Sequence, residues 1–519
     1  MLARAQNLKL PAEVKERLSL ALDHLMFITR PDGTSPLYGD DDGGRLLKLN
    51  ARAANDFRDT LATGAALFER GDWKNIAGNP PIEVLWLLGP EALASYDQIR
   101  AQAPAETSRA FTEGGYFVMR DGWSEESSYA LVDCGPHGSL SCAHAHADAL
   151  AFEYAAEGRT WLVDPGTYTY TGDASLRDQF RTSSAHNTVT VDELSQSAPS
   201  GPFAWELAAE SHVAVFITDE TFDYFEGSHN GYERLDDPVT HTRSVLLLKR
   251  DPERELPSFM VVRDMFDSSE QHRYALRYQL APECSLTADH NAVTAVDVSA
   301  RALSISSFGR SKTTARVEDG WVSRCYGQRE PASVALFEAE GHGPQEFVSF
   351  ISSRKPCRGG PPWPPLVTEV NGASEQAGAD TEGRPYMAYS MAAGQARDLF
   401  LIAERSDELI YDQLTAKGSM AWGRFIKGEF ERGCLISGNR FEIANSLKLN
   451  SPTTVSCCAF QVGEGRFEIT IHGATRFDLF LHTPRGEIVV NGLPFYPSPG
   501  SRALSFALED SGWKLTQED

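Results

Sequence analysis

The chain has 519 residues, of which 41% are hydrophobic and 23% are charged. That length exceeds what one hydrophobic core usually serves, so we expect roughly two or three domains. The formal net charge of −24 argues against nucleic-acid binding, which needs a basic surface. A local basic groove can still exist on an acidic protein, so an anionic polysaccharide is not excluded as a partner.

Membrane and export signals are weak in this sequence. No run approaches the ~18 uninterrupted apolar residues of a spanning helix, which predicts no membrane insertion. The residues from Met1 to Gln6 do not resemble a signal peptide, since no apolar core follows Arg4. The eight cysteines are irregularly spaced, and this pattern favours neither a disulfide framework nor a cysteine zinc site.

The first 105 residues or so are predicted to be helical. Apolar residues recur at helical spacing over 11–26 and 51–68, and shorter helices are predicted over 81–88 and 90–100. Between the first two helices, Tyr38-Gly-Asp-Asp-Asp-Gly-Gly-Arg45 contains three consecutive aspartates. This stretch is interpreted either as a cation site or as a solvated turn.

From Phe111 onwards the pattern is typical of β-structure. Short β-rich runs separated by Gly, Pro and Asp favour antiparallel sheets. They include 117–120, 129–133, 160–163, 188–191, 213–217, 244–248, 259–262 and 274–278. The absence of βαβ alternation argues against a Rossmann fold or a TIM barrel. The expected fold class is therefore a multidomain α+β protein.

A proline-rich run, Gly359 to Pro365, is interpreted as a domain joint. The predicted domains are a helical one over 1–105, a β-sandwich over 106–358 and a smaller β module over 359–519. In the last module, Asn491-Gly492 predicts a tight hairpin turn.

The stretch from Cys142 to Asp192 contains the candidate chemistry. His144, His146 and Asp148 form an H-x-H-x-D pattern, which would share one face of an extended strand. Asp164 and His186 lie at the ends of two further predicted strands. Imidazoles with a carboxylate suit a divalent cation such as zinc, although these side chains also occur as ordinary surface or core residues. Asp148 is interpreted as a ligand, as a partner that orients a histidine, or as a strand-end cap.

Three motifs in this stretch carry a family resemblance. They are His144-Ala-His-Ala-Asp-Ala-Leu150, Leu162-Val-Asp-Pro-Gly-Thr-Tyr-Thr-Tyr170 and Arg181-Thr-Ser-Ser-Ala-His-Asn-Thr-Val189. Over 11–352 the chain resembles the heparinase II/III family of polysaccharide lyases. The resemblance implies an incomplete (α/α) toroid followed by layered antiparallel sheets. It implies cleavage of uronic-acid-containing glycans, heparan-like or alginate-like, by β-elimination. The resemblance also implies a location in the cell envelope, in the periplasm or outside the cell. A homodimer is possible as the oligomeric state.

The resemblance also implies roles for particular residues. His146, Asp164 and His186 match the metal-holding positions, with zinc as the expected ion, and His144 matches a histidine that faces the substrate. In β-elimination the sugar carboxylate must be neutralised before a base removes the C5 proton and an acid protonates the leaving oxygen. Tyr168 and Tyr170 are candidate acid/base tyrosines, or strand-packing residues. Arg181 is a candidate clamp for an anionic sugar, or a surface salt bridge. His229, in a weaker matching motif, is a candidate substrate contact.

The helical segment is shorter than the helical domain that the family usually carries. The chain is therefore interpreted as a fragment or as a shortened member. One alternative is a catalytically impaired carbohydrate-binding or envelope polysaccharide protein. A metallohydrolase is a further alternative, although its signature has a histidine where this chain has Ala149.

Overall fold

The computed structural model of the protein describes residues 9–45, 49–138, 141–252, 254, 256–356, 366–369, 387–393, 395–403 and 408–518. Contacts divide the chain into two compact units, residues 1–356 and residues 357–519. The predicted helical segment therefore lies in one unit with the predicted β-sandwich. The predicted boundary between 358 and 359 falls two residues beyond the division.

The helices of the first unit occupy its N-terminal part, with a single later exception. They are α1 (Ala12–Ile28), α2 (Arg58–Phe68), α3 (Gly71–Ala77), α4 (Ile82–Leu88), α5 (Pro90–Gln98) and α6 (Ala174–Arg181). Helix α6 begins after Asp173, whose carboxylate accepts a hydrogen bond from the Leu176 amide at 3.0 Å. This is the usual N-cap arrangement for aspartate.

The strands of the first unit begin with a five-stranded antiparallel sheet in chain order, formed by β1 (Arg109–Phe111), β2 (Tyr116–Arg120), β3 (Tyr129–Asp133), β4 (Phe152–Ala156) and β5 (Arg159–Leu162). The later strands are β6 (Val189–Val191), β7 (Ala198–Gly201), β8 (Ala204–Leu207), β9 (Ser211–Thr218), β10 (Phe222–Tyr232), β11 (Val239–Leu248), β12 (Phe259–Asp267), β13 (Gln271–Gln279), β14 (Cys284–Asp289), β15 (Ala292–Asp297), β16 (Ala302–Gly309), β17 (Thr314–Cys325), β18 (Gln328–His342) and β19 (Gln345–Arg354).

These later strands form three further antiparallel sheets. The largest has the order β14-β15-β16-β19-β12-β11-β10-β9, a smaller one has the order β17-β18-β13-β6, and β7 pairs with β8. One hydrophobic core contains buried residues from the five-, eight- and four-stranded sheets, including Phe152, Val262 and Leu276. The predicted layered antiparallel architecture is confirmed.

The five-stranded sheet is buried on both faces, because its side chains alternate between two cores. Phe117, Ala130 and Val132 belong to the core shared by the sheets. Val118 and Leu131, one residue out of phase, belong to a second core with helix residues such as Phe27, Leu61 and Trp73. A strand alternates its side chains with period two, so near-continuous apolar runs are expected where both faces are covered.

The second unit is a β module. Its described strands are β20 (Leu366–Glu369), β21 (Met387–Ala393), β22 (Ala396–Ile402), β23 (Glu408–Tyr411), β24 (Leu414–Ile426), β25 (Glu429–Ile443), β26 (Leu447–Val462), β27 (Arg466–His472), β28 (Arg476–Leu481), β29 (Glu487–Val490), β30 (Leu493–Phe495), β31 (Ala503–Glu509) and β32 (Gly512–Glu518). The pairing is antiparallel except between β27 and β29. Val490 pairs with Leu493 across Asn491 and Gly492, which both have positive φ, so the predicted hairpin turn is confirmed.

Several predicted elements have different boundaries. The second helix begins at Arg58 rather than Ala51, since the Asn50 and Asp56 side chains accept hydrogen bonds from nearby backbone amides and hold a turn there. The prediction that the H-x-H-x-D segment is an extended strand is wrong. Residues 141–151 form an irregular loop, with positive φ at Cys142 and Leu150. The proline-rich joint at 359–365 and the first eight residues lie outside the described residues.

Among the described residues, no helix is both long and apolar enough to cross a bilayer.

A buried histidine in this unit should make stability depend on pH. His272 on β13 lies between Asp192, at 2.7 Å from its Nδ1, and Asp237, at 3.0 Å from its Nε2. Burial lowers its pKa, but the hydrogen bonds and charges of these aspartates outweigh burial and raise the pKa of His272 overall. A raised folded-state pKa stabilises the protein fully below the unfolded pKa of about 6.5. That contribution is lost as the pH rises through the folded value.

We therefore expect His272→Gln to lower the melting temperature more at about pH 5.5 than at about pH 8.5. The measurement is thermal unfolding of both proteins across this range. The exposed His290→Gln is the matched control and should show no such trend. An equal loss at both pH values would contradict the assignment.

Candidate functional site

Three predicted ligands, distant in the chain, lie together at the centre of the first unit. His146 is in the loop before β4, Asp164 follows β5, and His186 follows a short 3-10 turn, Ser183–Ala185, before β6. All three are buried, and one potential ligand atom from each lies within 4.8 Å of the others. The sequence placed these residues at the ends of strands, and the structure brings them to a single point.

The polar atoms of this cluster fit a metal ion. Among the described residues, His146 Nδ1 and His186 Nε2 are buried without a hydrogen-bond partner. His186 Nδ1 lies 2.7 Å from Asp164 Oδ2, while Asp164 Oδ1 accepts the Gly166 amide at 2.8 Å. Unpartnered buried nitrogens are costly, and two imidazoles with a carboxylate are a donor set that zinc uses. The residues present therefore fit the ion that the resemblance implies.

Charge also marks this cluster. Burial lowers the pKa of His186, but the charge of Asp164 and its hydrogen bond raise it more, so the net pKa lies above its usual value. Burial and the nearby charge of Asp148 raise the pKa of Asp133 well above its usual range. Asp133, Asp148 and Asp164 thus crowd together beside His186, and their mutual repulsion favours protons or a cation among them.

Buried polar side chains hold the loops of the site in place. Glu153 Oε1 accepts the Asp164 amide at 3.0 Å, and its other oxygen binds Arg30, which follows α1. Arg243, fully buried on β11, donates to the carbonyls of Leu150 at 2.7 Å and Asn187 at 2.6 Å. The Arg243 guanidinium thus ties together the loops that carry His146 and His186.

Asp40, on the loop between α1 and α2, also reaches this site. Its carboxylate is 1% exposed and lies 3.0 Å from His144 Nδ1 and 3.1 Å from His146 Nε2. Arg177 on α6 forms an ion pair with both oxygens, and Thr167 donates to Oδ1 at 2.5 Å. Burial raises the pKa of Asp40, but the hydrogen bonds of His146 and Arg177 lower it far more, to well below its usual range. For Asp40, the solvated-turn interpretation is therefore wrong.

A cavity of about 870 Å³ lies beside the cluster. Helix α1, the Asp40 loop and the loops after β3 line it, and His144 within it has 71% of its side chain exposed. Tyr38 and Tyr116 share the lining, with ring centroids 4.9 Å apart. Burial raises the pKa of Tyr38 to about 12 and that of Tyr116 further. The cavity thus combines an exposed imidazole with two phenols that stay protonated at neutral pH.

Of the two predicted tyrosines, Tyr170 lies near His144, whereas Tyr168 packs against other residues. The Tyr170 ring centroid is 6.3 Å from that of His144, and its hydroxyl donates to Asp42 at 2.9 Å. Burial and this hydrogen bond raise the pKa of Tyr170. Tyr168, at positive φ, stacks on Phe180 at 5.5 Å. Packing, the alternative interpretation, describes Tyr168 better.

The two predicted substrate contacts point into the protein. The Arg181 guanidinium is 0% exposed and donates to Asp178 and to the carbonyls of Gly201 and Pro202. His229 on β10 is buried, with Nε2 3.0 Å from His241 Nδ1, and burial lowers its pKa well below the usual value. Neither geometry supports a contact with a sugar in the cavity, because both side chains already serve internal hydrogen bonds.

Sequence reasoning missed Asp40, Arg177, Tyr38 and Tyr116 as members of the site. Tyr38 and Asp40 belong to the Tyr-Gly-Asp-Asp-Asp run, whose density of aspartates was the available signal. Arg177 and Tyr116 lie in an ordinary helix and strand, and no local pattern distinguishes them.

The fold and site together define a helix-capped, layered antiparallel β protein with a histidine-lined cleft. The family model described as "Heparinase II/III-like, C-terminal" matches residues 103–372, just over half of the chain. The chain belongs to this family.

Curated relatives agree with this membership. A heparin-sulfate lyase of Pedobacter heparinus is 25% identical over 334 residues, which are 63% of this chain and 43% of that protein. A heparin-sulfate lyase of Bacteroides stercoris is 25% identical over 232 residues, 44% of this chain and 31% of that protein. The matches thus span less than half the length of these relatives.

A solved structure supports the fold independently. The crystal structure of the heparan sulfate lyase HepC from Pedobacter heparinus superposes with a TM-score of 0.58 at 20% identity. The superposition covers 77% of this chain and 55% of that one. At this identity the likeness concerns the fold.

We expect His146→Ala to abolish tight zinc binding and to lower stability, because a ligand is lost and metal binding contributes to folding. Metal analysis after exposure to zinc and dialysis should give about one ion per wild-type chain and none in the variant. The exposed His482→Ala in the second unit is the matched control. Equal zinc content in wild type and His146→Ala would refute the ligand assignment.

Arg243 binds the buried carboxylate of Asp264 through two nitrogens. Arg243→Met would leave that carboxylate buried without its arginine partner, so we expect it to destabilise the first unit by about 3–5 kcal/mol. Denaturant unfolding measures the loss. Arg316→Met on β17, which removes two exposed ion pairs with Glu318 and Glu338, should cost less than about 1 kcal/mol. A similar cost for both variants would contradict the role given to Arg243.

Proposed function

We propose that this protein is a polysaccharide lyase that cleaves uronic-acid-containing glycans, heparan-like ones in the first place, by β-elimination. The observation that carries the proposal is the exposed imidazole of His144 in a sugar-sized cavity, directly beside the buried cluster of His146, Asp164 and His186. Family membership and the likeness to two heparin-sulfate lyases support the reaction class and the heparan-like substrate. Such a substrate is consistent with a location in the envelope, in the periplasm or outside the cell.

The residues of the cavity lining, together with Tyr170 next to His144, suit the steps of that reaction. His144 would bind the sugar carboxylate or accept the C5 proton, because it is the exposed imidazole of the cavity lining. Tyr170, whose pKa is raised, holds its proton at neutral pH and suits the role of acid toward the leaving oxygen. Tyr38 and Tyr116 are further hydroxyl donors for the substrate.

The lining carries four aspartates, Asp40, Asp41, Asp133 and Asp148, so an anionic sugar enters an acidic surrounding that also contains histidines. The raised pKa of Asp133 removes part of that charge, and Arg177 pairs with Asp40. Zinc held by His146, Asp164 and His186 would supply positive charge and a cross-link between three loops. The chemical steps themselves are assigned to the side chains of this chain.

The proposal is tested with the chain incubated with heparan sulfate, heparin and alginate. β-Elimination creates a conjugated enoate, so an ultraviolet absorbance rise and shortened chains are expected. Glycan binding without any absorbance rise would overturn the lyase proposal and favour a carbohydrate-binding protein.

His144→Ala should lower kcat by about 10²–10⁴, the range typical of a general acid or base. Steady-state kinetics on the best substrate of the panel measures the change. His290→Ala, an exposed histidine away from the cavity, should retain wild-type kinetics. Undiminished turnover in His144→Ala would remove this residue from the chemistry.

A further inference from the structure

Asp40 holds a position that the proposed function alone does not explain. Its buried carboxylate binds Arg177 through both oxygens and also accepts from Thr167. A carboxylate paired in this way with a guanidinium is ionised, and an ionised carboxylate can only accept hydrogen bonds. Every group that approaches Asp40 must therefore present a hydrogen.

This requirement fixes the protonated nitrogen of two histidines. His144 approaches Asp40 Oδ2 with Nδ1 at 3.0 Å, so Nδ1 carries the hydrogen. His146 approaches Asp40 Oδ1 with Nε2 at 3.1 Å, so Nε2 carries the hydrogen. In their neutral forms, the lone pairs are then on His144 Nε2 and His146 Nδ1. One carboxylate selects opposite tautomers in two rings that are two residues apart.

Each of these two nitrogens lies on a side chain of a candidate site. His146 Nδ1 is buried without a hydrogen-bond partner among the described residues, and its residue belongs to the cluster with Asp164 and His186. His144 Nε2 belongs to a ring that is largely exposed in the cavity, and this nitrogen forms no hydrogen bond within the part of the chain that the structure describes. We propose that Asp40 is a positioning residue that directs His146 Nδ1 toward the cation site and His144 Nε2 toward the substrate.

The backbone reinforces this arrangement. The Asp40 amide donates to the His144 carbonyl at 3.0 Å, and Gly39 approaches the same carbonyl so closely that a Cβ atom would lie 2.6 Å from it. Gly39 also has φ of +53°, which disfavours larger residues. The loop after α1 is thus locked against the His144 segment, and the N-terminal helical part supplies one component of both sites.

This inference rests on the proposed function for His144 but not for the cation site. Asp40→Asn keeps the volume of the side chain, yet its amide can donate as well as accept, so either tautomer of each histidine becomes allowed. We expect zinc affinity to fall about 10–100-fold, as for other groups that orient a metal ligand. We expect kcat to fall by a similar factor with little change in KM, since the Asp40 carboxylate is covered and does not reach substrate.

Zinc affinity is measured by competition with a chromophoric chelator, and kcat and KM are measured on the uronan cleaved by the wild type. Thr167→Val is the matched control, because it removes the hydrogen bonds that Thr167 donates to Asp40 and accepts from Arg177 but leaves both imidazole contacts in place. It should keep wild-type zinc affinity to within a small factor. Equal losses in Thr167→Val and Asp40→Asn would show a general structural role and overturn the proposal.

Tautomers provide a readout that does not depend on a stable variant. In ¹⁵N-histidine-labelled wild-type protein, two-bond proton–nitrogen correlations should assign the hydrogen to Nδ1 of His144 and to Nε2 of His146. The opposite assignment for either ring would overturn the inference. Unchanged zinc affinity in Asp40→Asn would overturn it as well, whatever the lyase assay shows. If Asp40→Asn binds zinc more weakly and the wild-type protein cleaves no uronan, the inference about Asp40 is supported and the proposed lyase function is refuted.

Discussion

Buried charge must be paired, and in the first unit this constraint joins the helical part to the sheets. Arg30, just after α1, pairs with Glu153 on β4, and Asp40 pairs with Arg177 on α6. Removing an ion from water costs several kcal/mol, which only close partners offset. Each pair therefore admits very few positions of the loop between α1 and α2. The second carboxylate oxygen of Glu153 accepts the Asp164 amide, and the two oxygens of Asp40 also contact His144 and His146.

The same principle acts on backbone groups inside the β-structure. The loops that carry His146 and His186 are irregular and partly buried, so their buried carbonyls cannot rely on a neighbouring strand. Arg243 donates to two of these carbonyls and binds Asp264 with its remaining nitrogens. Five donors in a rigid plane make arginine well suited to this task. His229 and His241 extend the same network away from the cavity, which accounts for their burial.

The irregular loop separates the duties of two neighbouring histidines. In a strand, His144 and His146 would share a face and an environment. In the loop, the His144 side chain is mostly exposed while that of His146 is buried. A single segment thus places one imidazole in the cavity and the other in the buried cluster with Asp164 and His186. Positive φ at Cys142 and Leu150 turns the backbone at either end of this segment.

Local sequence was enough to predict many of the strands, the Asn491-Gly492 hairpin and the identity of the three clustered donors. These depend on local alternation, turn chemistry and family motifs, all of which are written within a few neighbouring residues. The ion pair of Asp40 with Arg177, 137 positions apart, and the inward orientation of Arg181 and His229 follow from the three-dimensional fold alone. The partner of a charge depends on which distant surfaces are buried together, and no local pattern encodes that choice.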